Sequence, residues 1–478
     1  MRTIRTTEPG WRGALVLWLA ITPWTASTLR AQGPSDSSAT AGTPSGTDSG
    51  GAPTTITRPE APASPEAAGS LVSAPEGPPK QQPTIPPAPT PLLLNRALKR
   101  QDSPVRVFGW IENSFTGNTN GTPPGRSNFG VFPNHLANSW QGNQYYFVVE
   151  DPLNQVDTVN FGFRLDTLFG NDWQFTKAYG LFDRAFPTNH FAGLDLPQLY
   201  GEVHLPVLTP WGLDIRGGRF YSLTGFESPQ AIARPLLSVP YSLNFTPFTF
   251  FGVVSILHLN SRLSLVNGTV NGFDRWIDRS YKWGYLGALS WNSRDQKTTL
   301  VLGGVSAPDQ LPRFPPANSP NLPVGVPSPP LLDGRLNPFY ARSFRGYLIG
   351  VLSHKWSEKL TQAVETDHVF DPSILGFGND PHVDHSAAYH SFVSWFLYAF
   401  NDKVTGVWRS EVFWDPYGLA TGVADTFHET TLGLNVRPKP WLWVRPEARY
   451  DWAQFAHPFN DGTRKGQLTL SFDVIILF

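Results

Sequence analysis

Residues 467–478 read Gln-Leu-Thr-Leu-Ser-Phe-Asp-Val-Ile-Ile-Leu-Phe, and apolar and polar side chains alternate along most of this stretch. The apolar set is Leu468, Leu470, Phe472, Val474, Ile476 and Phe478. The polar set is Gln467, Thr469, Ser471 and Asp473. Successive side chains of a β-strand point to opposite faces. The stretch therefore predicts a strand with lipid or a protein core on one face and water on the other.

The same alternation recurs earlier in the chain and places charges on one face. Residues 440–452, 159–169 and 405–414 each set apolar side chains against ionisable ones. In the first of these segments, Arg445, Glu447, Arg449 and Asp451 follow one another on a single face. Four consecutive charges on one face are expected to need water.

Sixteen segments after residue 104 show this period of two. They are 105–113, 144–150, 157–169, 197–206, 211–220, 243–256, 261–272, 281–291, 297–306, 342–353, 359–368, 387–400, 403–413, 426–437, 440–452 and 466–478. Long and short connections alternate between them, as in outer-membrane barrels with short periplasmic turns and longer external loops. We predict an all-β fold, a transmembrane antiparallel up-and-down β-barrel of about 16 strands.

The N-terminal part of the chain has a different composition. Arg2, Arg5 and Arg12 precede an apolar run over residues 13–21, which has the length of the apolar region of a secretory signal peptide. Residues 32–91 are rich in Pro, Ala, Ser, Thr and Gly, and such a segment buries too little apolar area to fold. We predict a signal peptide over 1–31, a disordered periplasmic tether over 32–104 and an outer-membrane barrel over 105–478.

Charge, cysteine content and missing motifs exclude several functional classes. The chain has 37 Lys and Arg against 38 Asp and Glu, so nothing drives binding to a nucleic-acid backbone. It has no Cys, which rules out disulfides and thiolate metal sites. The common hydrolase, zinc-protease, phosphate-loop and dinucleotide motifs are missing from the sequence. We expect no cofactor and no enzyme, with a hydrolase embedded in the barrel as a remote alternative.

Six phrases carry a family resemblance. They are Val107-Phe-Gly-Trp-Ile-Glu-Asn, Phe161-Gly-Phe-Arg-Leu-Asp, Leu199-Tyr-Gly-Glu-Val, Ile215-Arg-Gly-Gly-Arg-Phe, Ser238-Val-Pro-Tyr-Ser with Pro247-Phe-Thr, and Val270-Asn-Gly-Phe-Asp. Over most of 105–478 the chain resembles the OmpL-like outer-membrane porins of the β-barrel porin-2 group. The resemblance implies a pore-forming barrel in the outer membrane. These phrases mark strands and turns, so they indicate architecture better than they indicate the solute.

A barrel of about 16–18 strands leaves an aqueous channel. We therefore expect a porin for passive diffusion of small hydrophilic solutes, with ionisable inner residues that set its selectivity. The candidate pore-lining residues are Arg164, Asp166, Arg409, Glu411, Arg445, Glu447, Arg449 and Asp451. Alternatively, these charges pair across neighbouring strands and only stiffen the wall. A non-conducting structural or partner-binding barrel is the alternative function.

Two loops contain further candidates. Residues 221–241 form the third long connection and are less polar than an external loop should be. In general porins the third loop narrows the channel, so Glu227 and Arg234 are the candidate constriction residues; the alternative is a loop packed on the rim or against another subunit. His382, Asp384 and His385 are weak metal candidates in an external loop. A plain polar loop is favoured there, so we predict no metal.

Partners follow from the predicted location. We expect contact with outer-membrane lipids and recognition of the last strand, which ends at Phe478, by the barrel-assembly machinery. A homotrimer is expected by analogy with general porins. An aromatic girdle should lie near the strand ends. Its candidates are Trp110, Trp211, Trp283, Trp291, Trp414, Trp441 and Trp452.

Overall fold

The computed structural model describes residues 94, 97–98, 103–125, 127–130, 133–153, 157–178, 180–182, 192–277, 282–308, 344–375 and 384–478, with the backbone alone at 372–375 and 384–385. The predicted signal peptide and nearly all of the predicted tether lie outside these residues. The boundaries at residues 31 and 104 therefore stay predictions.

Sixteen β-strands carry the fold, and each overlaps one of the sixteen predicted segments. They are β1 Arg106–Asn118, β2 Ser139–Asp151, β3 Asn160–Gly170, β4 Gly193–Leu205, β5 Leu213–Tyr221, β6 Thr249–Asn260, β7 Leu263–Val270, β8 Gly284–Asn292, β9 Thr298–Pro308, β10 Phe344–Lys355, β11 Leu360–Leu375, β12 Asp384–Asn401, β13 Val404–Asp415, β14 Asp425–Lys439, β15 Leu442–Ala453 and β16 Gly466–Leu477.

The strands form one closed antiparallel barrel. Each strand pairs with the next along the chain, and β1 pairs with β16 to close the ring. In this closing pair Trp110 lies opposite Leu477 and Asn118 lies opposite Thr469. This closed barrel confirms the predicted all-β architecture of about 16 strands. Closure leaves no edge strand unpaired.

The predicted faces are confirmed on β16. Leu470 and Ile476 lie on the outer face, 53% and 43% exposed. Gln467, Thr469 and Asp473 lie on the inner face and are buried. An apolar outer band with a polar inner face is the pattern of a barrel that crosses a membrane.

The long connections also contain short helices. They are α1 Trp173–Thr176, α2 Tyr241–Phe245, α3 Phe459–Gly462 and a 3-10 turn at Ala231–Ala233. No helix among the described residues is long and apolar enough to cross a bilayer. Because α2 takes up the residues just before β6, the start expected for that strand at residue 243 was wrong and β6 begins at Thr249.

One girdle prediction was wrong. Trp110 lies on the inner face of β1, fully buried, and its ring stacks on Tyr146 with centroids 4.0 Å apart. Trp283, Trp414 and Trp441 are instead exposed, as a girdle requires. Trp110 packs in an apolar cluster that also contains Ile232, from the connection between β5 and β6. The barrel interior near β1 is therefore filled by protein.

Candidate functional site

The connection between β5 and β6, residues 222–248, enters the barrel. Residues 227–243 are all buried, although they belong to no strand. Leu236, Leu237 and Val239 give this stretch an apolar character, and Leu236 packs in a cluster with Trp395 of β12. We call residues 222–248 the inserted segment. Burial of so long a connection requires partners for its backbone groups.

Two carboxylates of the barrel wall accept backbone N–H groups of the inserted segment. Glu447 of β15 accepts from Leu237 at 3.0 Å and from Ser238 at 3.1 Å. Glu411 of β13 accepts from Tyr241 at 2.6 Å and from Ser242 at 2.7 Å. Hydrogen bonds to charged acceptors are about twice as strong as neutral ones. These carboxylates therefore hold the segment against β13 and β15.

Wall arginines satisfy the carbonyl groups of the same segment. Arg445 donates to the carbonyl oxygens of Ala231 at 2.9 Å and Arg234 at 2.6 Å. Arg409 donates to the carbonyl oxygen of Ser238 at 2.6 Å, and Arg449 donates to that of Val239. Carboxylates and guanidinium groups together therefore replace the hydrogen bonds that water would make to an exposed loop.

The wall charges also pair with one another. Arg409 lies 2.7 Å from Glu429, Arg449 lies 2.8 Å from Asp451, and Arg445 pairs with Asp473. These pairs join neighbouring strands or positions two residues apart on one strand. A buried ion pair is worth little by itself, but removing one partner leaves a costly unpaired charge.

The structure places all eight candidate pore-lining residues on the inner face, and all are buried. They are Arg164, Asp166, Arg409, Glu411, Arg445, Glu447, Arg449 and Asp451. The expectation that the row on β15 needs water was wrong, because neighbouring side chains and the inserted segment supply its partners. Arg164 and Asp166 form a second group on β3, where Arg164 also lies 2.7 Å from Glu150 and Asp166 accepts from Gln230 of the inserted segment at 3.1 Å. A role in lining a channel stays a prediction.

The two candidate constriction residues lie within the inserted segment and are buried. Glu227 accepts a hydrogen bond from Nε1 of Trp395 at 2.7 Å and lies 3.9 Å from Arg409. Arg234 lies 3.2 Å from Glu112 of β1 and 3.1 Å from Asp172. Their side chains thus reach different parts of the wall. Glu227 contacts β12 and β13, whereas Arg234 contacts β1 and the connection between β3 and β4. Their effect on the width of a channel stays a prediction.

Sequence reasoning missed several partners of the segment. Glu112 also lies 3.1 Å from Arg445, and Glu365 of β11 accepts from the backbone N–H of Phe226 at 2.6 Å. Gln144 of β2 accepts from the backbone N–H of Ala231 at 3.0 Å. The period of two could have placed these side chains on the inner face. Their contacts depend on the path of the segment, which has no sequence periodicity.

The opposite part of the wall differs in chemistry. Along β6–β10 the inner face is largely apolar, with Val254, Ile256, Val266 and Ile349 in one cluster. Some inner positions on β8–β11 keep partial exposure and are small and uncharged. They are Ala288, Thr299, Val301, Gly303, Ser353 and Thr361. The charged wall of β13–β15 is thus covered by the segment. The wall of β8–β11 is partly open at these uncharged positions, although Thr224 of the segment covers Gly303 and the inner face of β11 also carries the buried Glu365 and Asp367.

The metal candidates cannot be placed. His382 lies outside the described residues, and only the backbone of Asp384 and His385 is described. Within the part of the chain that is described, no three His, Cys, Asp or Glu side chains are grouped to hold a metal ion. The prediction that this loop is a plain polar loop therefore stays a prediction.

Comparison with solved structures finds outer-membrane channels. They include the outer membrane channel DcaP of Acinetobacter baumannii, at 8% identity and TM-score 0.49 over 78% of this chain and 97% of that chain. An anion-selective porin from Comamonas acidovorans gives 8% identity and TM-score 0.49 over 78% and 99%. OprB of Pseudomonas putida gives 10% identity and TM-score 0.48 over 80% and 97%.

Comparison with curated proteins finds no match. A family model described as "Putative beta-barrel porin-2, OmpL-like" matches residues 104–478, which comprise the whole barrel. The match confirms the resemblance that the six sequence phrases carry and places the barrel in the outer membrane. The chain belongs to the OmpL-like beta-barrel porin-2 family.

Proposed function

We propose that this protein is an outer-membrane porin that passes small hydrophilic solutes by passive diffusion. The observation that carries the proposal is a closed barrel of the porin family whose inserted segment covers one part of the inner wall and leaves another part partly exposed. Barrels of this strand number are wide enough for an aqueous channel. The function proposed is transport, with no catalytic step.

The route runs along the inner face of β8–β11, which we call the passage. Ala288, Val301 and Ser353 line it, and none of them carries a charge. The arginines on β13–β15 are paired with carboxylates under the inserted segment, so the net field of this row at the passage is small. The passage should therefore discriminate little between cations and anions. If the segment leaves the wall, the eight charged candidates become pore-lining and selectivity rises.

Single-channel recording in a planar bilayer tests the function. The purified full chain should give stable ohmic steps with a reversal potential near zero in a salt gradient. A matched variant replaces residues 226–244 by a short Gly-Ser linker and should give larger steps. A folded wild-type chain that stays silent at every voltage, together with a silent linker variant, contradicts a diffusion pore.

A non-conducting, partner-binding barrel is the second candidate. Burial of Glu112, Arg409 and Arg445 against the inserted segment favours it, because these contacts fill the interior on that side. Silent wild-type chains and conducting linker variants would support this candidate. The segment would then act as a plug.

The remaining assignments belong to the same proposal. Export uses residues 1–31 as a cleaved signal peptide, and residues 32–104 form the periplasmic tether. The barrel contacts outer-membrane lipids, assembles as a homotrimer and presents the strand that ends at Phe478 to the barrel-assembly machinery. Mass spectrometry of the mature chain checks the cleavage site. The molar mass of the purified protein in detergent checks the trimer.

A further inference from the structure

Two histidines contact each other on the outer face of the β11–β12 hairpin. His368 of β11 lies directly opposite His390 of β12. Their sequence neighbours Asp367, Val369 and Ser391 are buried on the inner face, so both imidazoles point outward. The two Nδ1 atoms lie 2.9 Å apart, and both rings are half-buried.

This pair lies at the level of exposed aromatic side chains. Phe370 follows His368 by two positions on the same face, and Trp414 of β13 lies opposite His390. The rings of His390 and Trp414 are 5.2 Å apart. Aromatic side chains on the outer face of a barrel mark the membrane–water interface. We take Phe370 and Trp414 to mark this interface, where ions from the aqueous phase can reach the histidine pair.

Hydrogen bonding fixes the tautomer of one histidine. The hydroxyl of Thr366 donates its single proton to the carbonyl oxygen of Ser391 at 2.9 Å. Its oxygen therefore accepts from Nε2–H of His368 at 3.2 Å. Neutral imidazole carries one proton, so Nδ1 of His368 has a lone pair directed at His390. Such an outer hydrogen bond is what orients a metal-ligating histidine.

We propose that His368 and His390 bind a divalent transition-metal ion through their two Nδ1 atoms. Metal–imidazole bonds are about 2.0–2.1 Å long, so two of them at a right angle place the nitrogens about 2.9 Å apart. A tetrahedral angle would need about 3.3 Å. Right angles with nitrogen and oxygen ligands are typical of Cu²⁺ and Ni²⁺. Water or anionic headgroup oxygens complete the shell, and the proton on Nδ1 of His390 moves to Nε2 through solvent.

Titration of the full chain in detergent micelles with Cu²⁺ tests this site. Calorimetry in a non-coordinating buffer should show one tight equivalent, and electron paramagnetic resonance should show two coupled imidazole nitrogens. His368→Ala and His390→Ala should each weaken this binding at least tenfold and leave one coupled nitrogen. Thr366→Val should weaken binding several-fold with the two-nitrogen spectrum unchanged, because Thr366 positions His368.

Two controls separate this pair from other histidines. His428 is also on the outer face, with its ring stacked on Trp452 at 4.9 Å, and His428→Ala should bind Cu²⁺ as the wild type does. The double variant His382→Ala, His385→Ala tests the external loop and should also bind normally. The proposal is overturned if His368→Ala and His390→Ala keep wild-type affinity, or if only the loop variant loses the two-nitrogen spectrum.

Discussion

The contact between Glu447 and the inserted segment gives a sharp test of how the segment is held. Each oxygen of the carboxylate accepts a backbone N–H, from Leu237 at 3.0 Å and from Ser238 at 3.1 Å. Glu447→Gln keeps one accepting oxygen and replaces the other with an NH₂ group that faces an N–H. The variant therefore loses one charge-assisted bond and turns the other into a neutral bond, without changing the size of the side chain.

The expected magnitude follows from that lost bond. A hydrogen bond to a charged group contributes about 1.5–3 kcal/mol. Since about 1.4 kcal/mol changes an equilibrium constant tenfold, the ratio of docked to released segment should fall roughly tenfold to hundredfold. Release opens the charged wall to water and widens the channel. Single-channel records of Glu447→Gln should therefore show more time at a larger conductance level.

A matched control uses the same chemical change on the surface. Glu358 lies in the turn between β10 and β11, and its exposed side chain pairs with Lys355 at 2.8 Å. Exposed pairs contribute little to stability, so Glu358→Gln should leave the conductance levels unchanged. If Glu447→Gln and Glu358→Gln give the same dwell times as the wild type, the wall carboxylates do not hold the segment.

Three further predictions use other parts of the chain. Arg445→Ala strands the buried carboxylate of Asp473 and leaves that of Glu112 with Arg234 alone, so the free energy of unfolding in lipid vesicles should fall by about 3–5 kcal/mol; an unchanged urea midpoint contradicts this. Burial lowers the pKa of His135, in the loop after β1, to about 4 from its ordinary 6.5. As the pH falls, His135 is protonated in the unfolded chain before it is protonated in the folded one. The free energy of unfolding is therefore highest above pH 6.5 and falls by about 2 kcal/mol at pH 5. The stability of His135→Gln should depend less on pH over this range. Ala288→Glu adds a negative charge to the passage and should shift the reversal potential toward cation preference. An unchanged reversal potential would show that ions do not pass along β8.

The period of two was enough to predict the barrel, because lipid outside and polar groups inside impose one alternation on β1, β3 and β13–β16. It also placed Arg445 and Arg449 on the inner face. It could not predict what covers them, because the inserted segment is held through backbone groups that every residue type possesses. The start of β6 was wrong for the same reason, since α2 forms inside the barrel. The contact of His368 with His390 depends on strand register, which the sequence indicates only within a few residues.

Anchoring through the backbone has an evolutionary consequence. The N–H groups of Leu237, Ser238, Tyr241 and Ser242 serve the wall carboxylates, and any amino acid except proline supplies such a group. Mutations in the segment can therefore change its side chains while the hold on the wall persists. Related chains can adapt to new solutes by drift at these positions, provided that proline is kept out of them and the wall carboxylates are conserved.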